Sequence, residues 1–240
     1  MADQTPAHTV KSYDDDIHQL RSLIAQMGGL CESQILAAVD ALMRRDADTA
    51  LSVVATDARI DALEVEAEAL AIRIIALRAP MASDLREIVA ALKISSVLER
   101  IGDYAKNIAK RASVLAQTGP IEPTVIVPEM ARVVAQMVKD VLDAFVDRDA
   151  ELAIAVCQRD AQVDNFYSSL FRSLLTFMME NPHHITPSAH LLFIAKNLER
   201  IGDHATNVAE MVHYSVTGTH IGERPRGDDT SLSTFAPVAA

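Results

Sequence analysis

The 240-residue chain is predicted to be all-α, with six long helices forming two similar three-helix bundles related by an internal repeat. Three observations predict this. Apolar residues recur every three or four positions through most of the chain, the period of an amphipathic helix. No segment alternates apolar and polar residues as a half-buried strand does; Val125-Ile126-Val127 is too short and proline-flanked. The chain also repeats itself. Residues 94–111, ISSVLERIGDYAKNIAKR, and 194–211, IAKNLERIGDHATNVAEM, are identical at ten of eighteen positions.

Residues 1–12 read as a flexible N-terminal arm. The first helix is expected from Tyr13 to about Arg45, with Ile17, Leu20, Ile24, Met27, Cys31 and Ile35 on its apolar face. Gly28-Gly29 inside it predicts a bend rather than a break. Asp46 suits the N-cap of a second helix over about 47–77, with Asp48 favourable in its first turn. Pro80 ends that helix, because proline disfavours helical geometry in the residue before it. Ser83 is expected to cap a third helix from Asp84 to about Ala116.

The stretch 117–128, QTGPIEPTVIVP, holds three prolines and a glycine and divides the bundles into 13–118 and 119–217. A fourth helix over about 128–148 carries Asp143-Ala144, which matches Asp40-Ala41 at an offset of 103. Asp149 caps a fifth helix over about 150–180, which stops at Asn181-Pro182. Thr186 is expected to cap the sixth, with Pro187 at its first position. Residues 218–240 lack apolar periodicity and read as a disordered tail. Duplication suggests two units about a pseudo-symmetry axis; a single six-helix bundle is the alternative.

The net charge of −11 argues against nucleic acid as the main partner, since phosphate binding needs concentrated Lys and Arg. No apolar run approaches a membrane span, and the N-terminus lacks the basic start and apolar core of a signal peptide, so a cytoplasmic protein is expected. Cys31 and Cys157 lie far apart among apolar helical residues, as buried free thiols would.

Residues four apart on a helix lie nearly one above the other. Glu99 and Asp103 therefore share a stripe, with Asn107 beside them; Glu199, Asp203 and Asn207 repeat the arrangement. The second helix carries a partner ladder of Asp57, Asp61, Glu64 and Glu68, and the fifth offers Asp160 and Asp164. If helices two and three pack antiparallel, Asp57 and Asp61 face Glu99 and Asp103, and their counterparts do the same. Carboxylates converging on a half-buried site repel one another and call for a cation. All-oxygen ligands favour magnesium, calcium, manganese or iron. Ordinary ion pairs are the competing reading: Lys106 is three residues from Asp103, and Lys196 three from Glu199.

Other chemistry finds less support. A di-iron bundle needs Glu-x-x-His, whereas Gly102 and Gly202 follow the glutamates at that spacing. These glycines are better read as sites of close helix approach. His183 and His184 fall in a loop, and His190, His204 and His213 are scattered along the last helix. Neither a hydrolase triad nor a phosphate-cradling loop is present, so no catalytic residue is assigned. A metal-dependent enzyme acting on phosphate compounds is the rival function.

The doubled LERIGDxAxNxA phrase, the acidic pairs at 57/61 and 160/164 and Asp84-Leu85-Arg86 resemble the PhoU family, accessory proteins of bacterial phosphate-specific transport. The likeness covers residues 12–217. It implies two three-helix bundles, often as a homodimer, whose paired acidic motifs hold divalent or trivalent metal ions. Iron, manganese, zinc and magnesium are the candidates, singly or in multinuclear clusters. Carried onto this chain, the ligands are Asp57, Asp61, Glu99 and Asp103, then Asp160, Asp164, Glu199 and Asp203, with Asn107 and Asn207 adjacent. The resemblance further implies a non-enzymatic negative regulator of phosphate uptake and the phosphate-starvation response. It would dock to the ATPase of the phosphate transporter and to a sensor histidine kinase, and reach the membrane only through such partners.

Overall fold

The computed structural model describes residues 6–118 and 125–222. Its helices are α1 (Pro6–Arg44), α2 (Ala47–Arg78), α3 (Ser83–Leu115), α4 (Ile126–Asp147), α5 (Ala150–Glu180) and α6 (Ile185–Thr217), with a 3-10 turn at Pro182–His184. No strand occurs among the described residues. Most of the expected tail, part of the proline-rich divide and the first five residues of the expected arm lie outside them.

Two helix starts follow directly from local chemistry. Asp46 Oδ1 accepts from the amides of Asp48 at 3.0 Å and Thr49 at 3.1 Å, and Oδ2 accepts from the Thr49 hydroxyl at 2.6 Å. Asp149 Oδ1 likewise accepts from Glu151 at 2.9 Å and Leu152 at 3.0 Å. Each satisfies amides that the first helical turn leaves without a partner. Replacing Asp46 or Asp149 with alanine is expected to cost about 1 kcal/mol each, read as a lowered denaturant midpoint with an unchanged slope. A change below a few tenths of a kcal/mol would show that the caps contribute nothing.

Three boundaries differ from expectation. Ser83 does not cap α3. The N-cap position belongs to Ala82 at φ 50°, with no side-chain cap, and the Ser83 hydroxyl donates instead to Asp84 Oδ1 at 3.3 Å. The turn around Pro80 has positive φ on both sides of it, at Ala79 (46°) and Ala82 (50°), and Ser83 is already helical. Thr186 also lies inside its helix. Asn181 Oδ1 accepts from the His183 amide at 3.0 Å and starts the 3-10 turn, which runs directly into α6. Finally, α1 begins at Pro6 rather than Tyr13, and it passes unbroken through Gly28-Gly29.

Within each repeat the three helices pack mutually: α1, α2 and α3, then α4, α5 and α6. The repeats meet through α3 on α6 and α1 on α4. Both contacts pair a helix with its own counterpart, as a twofold axis requires. Tyr104 and His204 are themselves counterparts, and their rings stack with centroids 5.4 Å apart, marking where that axis passes. One hydrophobic cluster runs through both repeats, including Leu98, Ile101 and Ile108 of α3 and Leu198, Ile201 and Val208 of α6. The packing is close. A Cβ on Gly28 would lie 1.7 Å from Leu142 Cδ1, so the absent side chain is what admits α4 against α1. Neither Cys31 nor Cys157 is in a disulfide: Cys31 is fully buried and donates to the Leu98 carbonyl at 3.2 Å, and Cys157 is half-buried.

Candidate metal centres

The doubled glycines set the geometry. A Cβ on Gly102 would lie 2.9 Å from Ile60 Cδ1 and 3.6 Å from Asp57 Oδ1, so glycine lets α2 come close to α3. In the second repeat a Cβ on Gly202 would meet Val163 Cγ1 at 3.4 Å and Asp160 Oδ1 at 3.5 Å. Close helix approach, expected of both glycines, is thus required at Gly102, whereas a Cβ at Gly202 would make ordinary contacts; Asp57 and Asp160 lie against the two positions.

In the first repeat Asp57 is buried at 5% exposure, Glu99, Asp103 and Asn107 are half-buried, and Asp61 is exposed. The ladders do converge. Burial raises the Glu99 carboxyl above its ordinary range, and the charges of Asp103, Glu64, Asp61 and Asp57 push it further. The cation among them is Lys106. Its ammonium donates to Asp57 and, at 2.5 Å, to Asp103 Oδ1. Those two bonds hold it protonated well above the usual lysine value. The i to i+3 pair with Asp103 was legible in the sequence; the second bond, to Asp57 on another helix, was not.

The second repeat lacks this bridge, because Thr206 stands where Lys106 does and its hydroxyl donates to the Asp203 carbonyl at 2.7 Å. Asp160, Asp164 and Glu199 are half-buried and Asp203 is exposed. Burial raises Glu199; the bond from Lys196 at 2.6 Å opposes that shift, while Asp203 and Asp164 add to it. Glu199 Oε2 is buried with no hydrogen-bond partner among the described residues. Asn207 lines a cleft between α3 and α6 together with Arg100 and His204.

Sequence reasoning missed Gln34. It is 3% exposed, its Oε1 lies 3.6 Å from the point where a Gly102 Cβ would sit, and neither amide atom has a partner among the described residues. The signal was faint, a glutamine on the apolar face of α1. In the first repeat the neutral Gln34 amide and the buried Asp57 carboxylate, and in the second the orphaned Glu199 oxygen, are oxygen donors of the kind a hard cation takes. The acids are not closed around a point, however. Among the described residues no three His, Cys, Asp or Glu are gathered closely enough to hold one ion. The donor chemistry fits a metal in both repeats, and in the first a metal would take over the charge that Lys106 now supplies.

The raised glutamates have a signed consequence. A carboxyl with a higher pKa folded than unfolded holds its proton more tightly in the native state. Its contribution is full below the ordinary value of 4.5 and is lost as pH rises through the raised value. Glu99→Gln is therefore expected to be more stable than the parent near neutral pH with chelator present, and equal to it in acid. A parent more stable than Glu99→Gln at neutrality would overturn the reading that burial and like charge dominate at this carboxyl.

The PhoU domain family matches residues 24–112 and 127–212, one copy on each repeat. The chain belongs to the PhoU family. Each matched segment contains one copy of the acidic phrase and its partner ladder. Among relatives, the phosphate-specific transport system accessory protein PhoU homolog of Zymomonas mobilis is 52% identical over 226 residues, covering 94% of this chain and 95% of its own. The homolog from Caulobacter vibrioides is 50% identical over 223 residues, covering 92% and 97%. The crystal structure of PhoU from Pseudomonas aeruginosa superposes with a TM-score of 0.83 at 41% identity, covering 86% of this chain and all of that one. The phosphate transport system regulatory protein PhoU from Streptococcus pneumoniae gives 0.81 at 28% identity, covering 88% of this chain. The helical fold is thus shared with both solved PhoU structures.

Proposed function

We propose that the chain is a regulator of phosphate transport, working by docking to partner proteins rather than by catalysis. The observation that carries this reading is full-length similarity, at half of all positions, to accessory proteins of phosphate-specific transport. The partners in this proposal are the transporter's ATPase and a phosphate-sensing histidine kinase, and the expected effect is damping of uptake and of the starvation response when phosphate is plentiful. No helix among the described residues is long and apolar enough to cross a membrane, in keeping with membrane association through proteins. The chain is read as a cytoplasmic homodimer.

Metal binding belongs to the same proposal. Iron, manganese, zinc or magnesium would be held by Asp57, Asp61, Glu99 and Asp103, and by Asp160, Asp164, Glu199 and Asp203. Bound metal would offset the burial and the like-charge repulsion that keep Glu99 and Glu199 reluctant to ionise. Deleting the gene tests the regulatory role. A phosphate-starvation reporter is expected to switch on in high phosphate; an unchanged reporter would sink the proposal. Affinity capture with the ATPase and the kinase then separates docking from indirect effects. Phosphate release by the metal-loaded chain, abolished by Asp103→Ala or Asp203→Ala, would favour an enzyme instead.

A further inference from the structure

The cleft between α3 and α6 is chemically unlike the rest of this acidic molecule. Its volume is about 720 Å³, within the range of small-molecule sites of roughly 300–1,000 Å³. From α3 it is lined by Arg86, Lys93 and Arg100. These are seven residues apart, so they form one line along the helix, with steps of about 10 Å that long side chains can bridge. Glu210 is the only acid among the described residues of the lining. None of the three cations is in an ion pair among the described residues, and Arg86 Nε is buried with no hydrogen-bond partner. Arg86 therefore holds a buried donor without a partner among the described residues, and Lys93 and Arg100 present their charge to solvent, so the line offers positive charge to an anionic ligand.

The pseudo-twofold axis supplies a control inside the molecule. At the counterpart positions Phe193 stands for Lys93, Thr186 for Arg86 and Arg111 for Met211. There the cation is taken up within the chain: the Arg111 guanidinium lies over the Phe193 ring at 4.1 Å from its centroid, with His190 Nδ1 at 3.4 Å. On the Lys93 side none of the three lining cations has such a partner among the described residues. Its far end is aromatic, since Tyr214 and His220 stack with centroids 4.6 Å apart and both line the cleft. Arg86 reaches that end, its guanidinium carbon 3.6 Å from where a Cβ on Gly218 would sit.

We infer that this cleft binds a phosphorylated small molecule with an aromatic body, the chemistry of a nucleotide: Arg86, Lys93 and Arg100 take the phosphates and the Tyr214–His220 pair packs against the ring. Charge-assisted bonds from arginine favour phosphate oxygens, and a stacked ring pair beside them favours a planar body. The inference goes beyond the regulatory reading and does not use the acidic ladders.

Calorimetric titration of the full chain with adenosine triphosphate, in chelator, tests it. Saturable binding is expected, weakening as salt is raised and weakening about tenfold or more in Lys93→Glu/Arg100→Glu. Both side chains are exposed, so the fold should survive, which circular dichroism checks. Lys110→Glu, an exposed cation outside the cleft, should bind like the parent. Absence of saturable binding, or binding indifferent to the double reversal, overturns the inference. Inorganic tripolyphosphate binding as tightly as the nucleotide would overturn the aromatic part of the assignment. Tyr214→Ala should weaken the nucleotide and leave tripolyphosphate unchanged.

Discussion

Glu87→Ala is expected to lower the stability of the fold by about 3–5 kcal/mol and its thermal midpoint by about 6–20 °C. Glu87 is 7% exposed and lies in the second turn of α3. Its Oε1 accepts from Arg21 of α1 at 2.6 Å, and its Oε2 accepts from Arg148, just past α4, at 2.6 Å. One carboxylate therefore ties two helices of the first repeat to the end of a helix in the second. Arg148 sits in left-handed backbone at φ 56°, a conformation that costs a non-glycine residue about 1–3 kcal/mol unless its surroundings hold it. Removing the carboxylate leaves two guanidinium groups facing each other across a nearly closed site. The Arg148 side chain is 37% exposed, so water recovers part of the loss and the lower end of the range is expected. Glu87→Gln, which keeps the shape and accepts one bond, should fall between. An alanine variant within 1 kcal/mol of the parent by chemical denaturation would show that the apolar core alone joins the repeats.

That network explains what the sequence hides. The repeat made the paired ladders legible, because both copies obey the same helical period and the same glycine. Glu87 has no counterpart, since position 187 is proline, so comparing the halves does not expose it. The caps at Asp46 and Asp149 were readable because a cap bonds amides two and three residues away. Ser83 and Thr186 misled for the opposite reason. Whether a hydroxyl caps depends on the backbone just before the helix, here a positive φ at Ala82 and a 3-10 turn at Pro182–His184. Gln34 beside Gly102, Asn207 in the cleft and the bond from Lys106 to Asp57 all depend on which helix faces meet. Periodicity shows that a face exists without showing its neighbour.

Lys106→Met isolates the central question about the first acidic ladder, whether its cation is built in or bound. With chelator present the variant is expected to lose about 3 kcal/mol and about 6–12 °C in thermal midpoint. The reason is Asp57, whose side chain is 8% exposed and would be left charged and unpaired next to Glu99. The Asp103 side chain, 44% exposed, turns to water and contributes little to the loss. A divalent metal at a hundred times its dissociation constant should then restore about 2.7 kcal/mol. The parent should respond less, because Lys106 competes for the same oxygens. Asp57→Asn/Lys106→Met, with the buried charge removed, should recover stability in chelator and lose the response to metal. Restoration by metal in the single variant but not in the double would place the ion at Asp57. A single variant that is destabilised yet indifferent to magnesium, manganese, iron and zinc would leave Lys106 as the only cation this ladder takes.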